Sequence, residues 1–138
     1  MSDGTFDKVE KSSKTMYGPR GILACGYSKE EQEAFFSILK EIQMEEIPVR
    51  FPVDADGSKS LKTIFEKAET GQADQSSLRR AVIMSGLTQE ELHKLIASHR
   101  ASTLPRPLWA SLTPISESWA LKGLLETLAR EDAAMKQR

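Results

Sequence analysis

Cys25 closes the apolar run Ile22-Leu23-Ala24-Cys25 and stands just ahead of Gly26 and a helix start at Ser28. A thiol beside a helix N-terminus ionises more easily, because the positive end of the helix dipole favours the thiolate. That is the setting of a cysteine nucleophile. The competing reading is a small buried thiol. No histidine lies near Cys25 in sequence to activate it, and Ser85 holds the matching place in a second copy of the same pattern. Of the two histidines, His99 falls on the apolar stripe of a predicted helix and reads as a core or rim histidine with one hydrogen bond. His93 lies off that stripe and reads as solvated. One cysteine and two histidines make no zinc set. Asp54, Asp56 and Gly57 resemble the start of a calcium loop, but that loop needs its glycine sixth and a glutamate twelfth. Counted from Asp54, Gly57 is fourth and Phe65 twelfth, so a turn is expected here, with no metal and no cofactor.

Gly26 and Gly86 each end a strand ahead of a helix N-terminus, where a phosphate or carboxylate can sit. The chain has neither Gly-x-Gly-x-x-Gly nor Gly-Lys-Ser/Thr, and glutamates in the first turns of both helices would oppose an anion. Trp109 and Trp119 offer a different chemistry. Leu108, Ala110 and Leu112 alternate onto one face of a predicted strand, leaving Trp109 and Ser111 on the other. In a sheet covered by helices on both faces Trp109 is core. In a two-layer fold it is exposed and suits an interface anchor. Trp119 is expected to pack against the Thr113-Pro114 turn. Trp109, Thr113, Pro114, Ser116 and Trp119 form the candidate protein-binding set.

The elements that position these residues come in two copies about sixty residues apart. Ile22-Leu23-Ala24-Cys25-Gly26-Tyr27-Ser28-Lys29-Glu30-Glu31 is echoed by Val82-Ile83-Met84-Ser85-Gly86-Leu87-Thr88-Gln89-Glu90-Glu91, and Ser58, Leu61, Lys62 and Glu66 recur as Ser118, Leu121, Lys122 and Glu126. A repeat of this length defines an architecture. Each copy starts with a short apolar strand. A capping box follows, Ser28 with Glu31 and Thr88 with Glu91. Helical stripes come next, Phe35, Ile38, Leu39 and Ile42 in one copy and Leu92, Leu95, Ile96 and His99 in the other.

Val49–Val53 and Leu108–Leu112 read as further strands, the first at a sheet edge because Pro48 and Pro52 cannot donate to a ladder. Leu61, Ile64, Phe65 and Ala68 mark one more helix. Leu121, Leu124, Leu125 and Leu128 mark the last, capped by Ser116 or Ser118. The predicted fold is α/β. Duplicated β-α-β-α units form a four-stranded, mostly parallel sheet packed with four helices. A local two-fold between the halves would make the two central strands antiparallel, which the sequence leaves open. Residues 1–20 are expected as a flexible arm, with Phe6 and Tyr17 able to dock locally and 17–21 turning into the fold. Residues 21–130 form one domain of two repeats (21–70 and 80–130), and 131–138 a helix end or tail.

Composition narrows the function further. The 138 residues suffice for one domain and one core, and 39% hydrophobic with 28% charged residues is ordinary for a soluble globular protein. Nineteen basic against 20 acidic residues leave a net charge of -1, no footprint for nucleic acid or an anionic membrane. Basic pairs such as Arg79-Arg80 read as solvated surface. The single cysteine excludes an intrachain disulfide and suits a reducing compartment. No apolar run approaches the ~20 residues of a membrane span, and Met1–Asp7 lack the apolar core of a secretory signal. The expectation is a soluble intracellular protein of the cytoplasm or plastid stroma, without nucleic-acid partner or membrane insertion. A cleaved transit peptide would leave no trace.

Across residues 82–130, and most specifically at Leu112-Thr113-Pro114-Ile115-Ser116-Glu117-Ser118-Trp119-Ala120-Leu121, the chain resembles the domain of unknown function 3783, a family of bacteria and plants. The family pattern is a strand, Leu-Thr-Pro, a polar turn with an asparagine, a tryptophan and a leucine-rich helix. Ser116 stands where that asparagine is expected. The family has no established enzymatic activity, so the resemblance points to no particular reaction. Plastid proteins similar to this one imply a role in assembling photosynthetic complexes such as photosystem I. The leading expectation is therefore a non-catalytic protein-binding module, an assembly or stability factor for a multiprotein complex. The alternatives are a small-ligand sensor at the strand ends near Gly26 and Gly86, and an enzyme using Cys25.

Overall fold

The computed structural model describes residues 14–67, 71 and 73–136. Eight elements follow one another: β1 (Gly21–Cys25), α1 (Lys29–Glu41), β2 (Val49–Arg50), α2 (Leu61–Glu66), β3 (Ala81–Ser85), α3 (Gln89–Ala101), β4 (Leu108–Ser111) and α4 (Leu121–Lys136). One-turn 3-10 helices at Asp54–Ser58 and Ser116–Ser118 precede α2 and α4. The fold is the expected α/β, a four-stranded sheet with four helices among the described residues. Most of the sequence-placed N-terminal arm, with Phe6, and Ala68 of the second helix lie outside the described residues.

The sheet order is β2-β1-β3-β4. β1 pairs with β2, and β3 with β4, in parallel. The central pair, β1 with β3, is antiparallel, with Leu23 opposite Ile83. That settles the question left open by the sequence, in favour of a local two-fold. A second contact fixes the same axis. Ser60 bridges Ala120 where α2 and α4 begin, with the Leu61 amide donating to the Trp119 carbonyl (3.0 Å) and the Leu121 amide to the Lys59 carbonyl (2.9 Å). Both pairs, Leu23 with Ile83 and Ser60 with Ala120, join residues sixty positions apart.

Every side chain of β1 and β3 is buried, as two central strands between layers require. On one face Ile22, Ala24, Val82 and Met84 meet α1 and α3 through Phe35, Ile38, Leu39 and Leu95. On the other Leu23, Cys25 and Ile83 meet α2 and α4 through Leu61, Ile64, Leu121 and Leu124. β2 lies at an edge, as its flanking prolines dictate, but it is shorter than expected, two residues rather than five. Both capping boxes form. Ser28 Oγ accepts from the Glu31 amide and Thr88 Oγ1 from the Glu91 amide, while each glutamate accepts from the cap residue's own amide.

Candidate functional site

The strand ends at Gly26 and Gly86 are closed by the opposite half. A Cβ on Gly26 would stand 2.6 Å from the Leu78 carbonyl oxygen and 2.9 Å from the Arg80 nitrogen. One on Gly86 would stand 2.7 Å from the Gly18 oxygen and 2.8 Å from the Arg20 nitrogen. Both glycines have positive φ, 77° and 67°, so these turns need the residue with no side chain.

The capping glutamates are used twice. Arg80 donates to Glu31 at 2.8 and 2.9 Å, and Arg20 grips Glu91 with both of its terminal nitrogens. Each half thus supplies an arginine to the other half's helix cap. Arg80 corrects the solvated reading of Arg79-Arg80. It is half-buried, with its guanidinium 4.5 Å from the centre of the Tyr27 ring. Burial raises the Glu31 pKa, but the Ser28 amide and Arg80 outweigh it and hold the carboxyl below its usual range. At Glu91 the Arg20 contact dominates, with the same net direction.

Cys25 lies inside this closed region. It is free and fully buried. Burial, with the nearby negative charge of Asp56, pushes its thiol up to about 12. The helix end that would favour a thiolate is therefore overruled by desolvation. Ser85, its counterpart, is buried with an unpartnered hydroxyl.

Asp56 and Ser116 do the same structural work in the two halves. The Val53 amide donates to Asp56 Oδ2 at 3.0 Å, and the Thr113 amide to Ser116 Oγ at 3.1 Å. Each acceptor closes a turn over the amide three residues before it. Asp56 is buried and also takes Lys59 (2.9 Å) and Arg50 (3.1 Å), which bring its pKa below normal against the opposing effect of burial. Those cations occupy the side that the calcium-like pattern would offer. Ser116 is a turn closer and not a helix cap, and Ser118 donates back to the Ile115 carbonyl. The last helix starts at Leu121, behind Ala120, which has no side-chain acceptor. Among the described residues no group of three or more His, Cys, Asp or Glu is placed to hold a metal.

His99 is buried and hydrogen-bonded through Nε2 to the Tyr27 hydroxyl at 2.8 Å. Burial, with the charge of Arg80, pushes its pKa down. Trp109 stacks edge-on against it, ring centres 5.4 Å apart, and Phe35 meets both Tyr27 and His99. The sheet is covered on both faces, so Trp109 belongs to the margin of this aromatic core.

The candidate set thus divides. Trp109 packs with α1 and α3, whereas Thr113, Pro114, Ser116 and Trp119 share one turn that packs beside α2, on the other side of the sheet. Trp119 contributes its backbone to the axis contact and is 38% exposed as a residue, and Ile115 on the same turn is 74% exposed. Tyr17, 45% exposed, reaches the turn by donating from its hydroxyl to Glu117 Oε1. Residues 15–17 are placed for this by the β3–α3 turn: Thr15 bridges Thr88, the Met16 amide donates to the Leu87 carbonyl, and the Gly86 amide to the Tyr17 carbonyl.

Sequence reasoning placed Ile115 within the expected loop from Thr113 to Ser118 without singling it out, and missed the Arg20 and Arg80 exchange and Gln32. The Gln32 side chain is buried and clamps Ala73 by two hydrogen bonds. Arg20 and Arg80 carried a readable signal, since the same residue recurs at the repeat spacing. Gln32 carried none, because its counterpart is Leu92.

Residues 80–135 match the model of a family described as Domain of unknown function (DUF3783). The match covers the second β-α-β-α unit, from β3 almost to the end of α4, the stretch over which the resemblance had been drawn. No curated protein and no solved structure matches the chain.

Proposed function

We propose that this chain is a non-catalytic protein-binding module that helps to assemble or stabilise a multiprotein complex, and that it meets its partner through Ile115, Trp119 and Tyr17. One observation carries this reading. The two halves repeat each other in backbone, caps and ion pairs, yet of the two equivalent turns only the second carries large exposed apolar residues, Ile115 and Trp119. Where the second half has Ile115 and Trp119, the first has Ala55 and Lys59, and Lys59 is turned to the buried Asp56. Both turns are closed in the same way, by an acceptor over the amide three residues before it, so the fold does not require an isoleucine and a tryptophan here. An exposed tryptophan and isoleucine on one of two equivalent turns serve something outside the chain. The burial of Cys25, with its raised pKa, supports the non-catalytic side of the reading. The resemblance to plastid assembly proteins supports a photosynthetic complex such as photosystem I as partner, met in the plastid stroma. The cytoplasm, also reducing, is the other compartment that suits the free thiol.

Affinity capture from a native extract tests this, with mass spectrometry as the readout. The bait carrying Ile115→Ser and Trp119→Ala should keep the wild-type melting temperature and lose the complex. A Met135→Ser bait, changed at an exposed apolar residue near the far end of α4, should retain it. Equal recovery with all three baits would sink the reading.

A further inference from the structure

A cavity of about 460 Å³ opens between residues 77–79 and the outer face of α4. Its apolar wall is Leu78, half-buried, and Leu125, buried. Arg79, Lys122 and Arg130 stand around it, all exposed. Among the described residues none of the three has a carboxylate within ion-pair distance, whereas Arg20, Arg50, Lys59 and Arg80 are each paired. Glu126 lines the same cavity and is also unpaired there, so the lining carries three cations and one anion, and the Asp54 carboxylate at its edge takes the Ser77 amide at 2.7 Å. Lys122, Glu126 and Arg130 follow at four-residue intervals and so share one helix face. The first half has no such arrangement, since Pro19 and Phe65 hold the places of Arg79 and Leu125.

We infer that this groove takes an acidic peptide segment of the partner. An aliphatic side chain would lie against Leu78 and Leu125, with flanking carboxylates bound by Arg79, Lys122 and Arg130. The inference rests on the protein-binding reading and adds the chemistry of the partner. Charge complementarity is the argument. The whole chain is nearly neutral, at -1, so attraction for acidic groups must come from local clusters of cations such as this one and not from the net charge. Guanidinium groups bind carboxylates with two parallel hydrogen bonds, and next to an apolar wall such contacts are less screened than in open water. The groove is also continuous with the proposed docking turn along the chain. Lys122 stands in the first turn of α4, three residues after Trp119, so one partner segment can engage both.

The test uses the full chain and a short fluorescein-labelled peptide, Glu-Glu-Leu-Glu-Glu, read by fluorescence anisotropy. Wild type should bind it saturably, more weakly at higher salt, and should not bind the peptide with glutamine in place of glutamate. Arg79→Glu with Lys122→Glu and Arg130→Glu should weaken binding by about tenfold or more, as the loss of charged contacts in an interface does. Neutral Lys122→Gln with Arg130→Gln should weaken it less, and guards against misfolding of the charge-reversed chain. Absence of wild-type binding, or equal binding by folded variants, overturns the inference. The Ile115→Ser, Trp119→Ala chain separates the two claims, because it should bind the peptide like wild type. Loss of the peptide result alone, with capture still dependent on Trp119, removes the acidic segment and leaves the protein-binding reading. Peptide binding without any captured complex removes the protein-binding reading and, with it, the assignment of the groove to a partner, leaving only its affinity for acidic peptides.

Discussion

His99 is a buried residue whose chemistry departs from that of its counterpart, Leu39. It keeps a titratable ring inside an apolar cluster, held by the Tyr27 hydroxyl and facing the charge of Arg80. Its pKa is lowered in the fold and stands near 6.5 in the unfolded chain. As pH falls below about 6.5 the unfolded chain takes up a proton that the native one resists, so stability drops. The carboxyls of Glu31, Asp56 and Glu91 are also lowered, but their ordinary range lies near pH 4 and their contribution is lost below it. The fall between pH 7 and 5 therefore belongs to His99.

Denaturant titration should show the midpoint of the wild type decreasing over that interval. His99→Leu should be less stable at pH 7, because the Tyr27 hydroxyl loses its partner at a cost of about 1–3 kcal/mol, yet flat from 7 to 5. Parallel pH profiles for the two proteins would refute this. At this scale the sequence was informative about His99, whose place on a stripe predicted burial with one hydrogen bond. At Cys25 the small buried thiol, favoured because no histidine stands near and Ser85 holds the matching place, is what the fold has, although a local helix-end argument says nothing of how deeply the opposite half buries it.

The elements were the most legible level. Capping boxes, apolar stripes and strand-terminating glycines are short-range patterns, and each repeats, so each half checks the other. Longer-range facts were not. The length of β2 depended on how far its pairing with β1 runs, and the role of Ser116 on the amide of Thr113. Strand order was invisible because the apolar runs of β1 and β3 fit a central strand in either direction. The glycine turns give the sharpest element-scale prediction. Gly26→Ala and Gly86→Ala each force a side chain into positive φ and into the other half's backbone below 3 Å. Each should destabilise by more than about 1 kcal/mol, and by similar amounts because the two sites are equivalent. Gly123→Ala, in α4 with nothing within 4 Å of its Cβ, should be neutral or stabilising. Urea midpoints that rank Gly123→Ala with the other two would contradict the interlock.

As a whole molecule the chain is two copies of one unit folded around a shared axis. The central strands pair antiparallel, and each half's arginine closes the other's helix cap. Neither half buries its own strand without the other. Unfolding should then be a single transition, with calorimetric and van't Hoff enthalpies equal. Two resolved transitions would show halves that fold apart. On the proposed reading, the departure from symmetry at one turn is what function uses. The matched residues serve the fold, and the turn of Ile115 and Trp119 breaks the match.

The most direct test of that division is to give the second turn the residues of the first. Ile115→Ala with Trp119→Lys should leave the melting temperature within a few degrees of wild type. Its affinity for the captured partner, measured by titration calorimetry, should fall by about tenfold or more, the scale of a lost aromatic anchor. A folded variant that binds the partner as tightly as wild type would contradict the account.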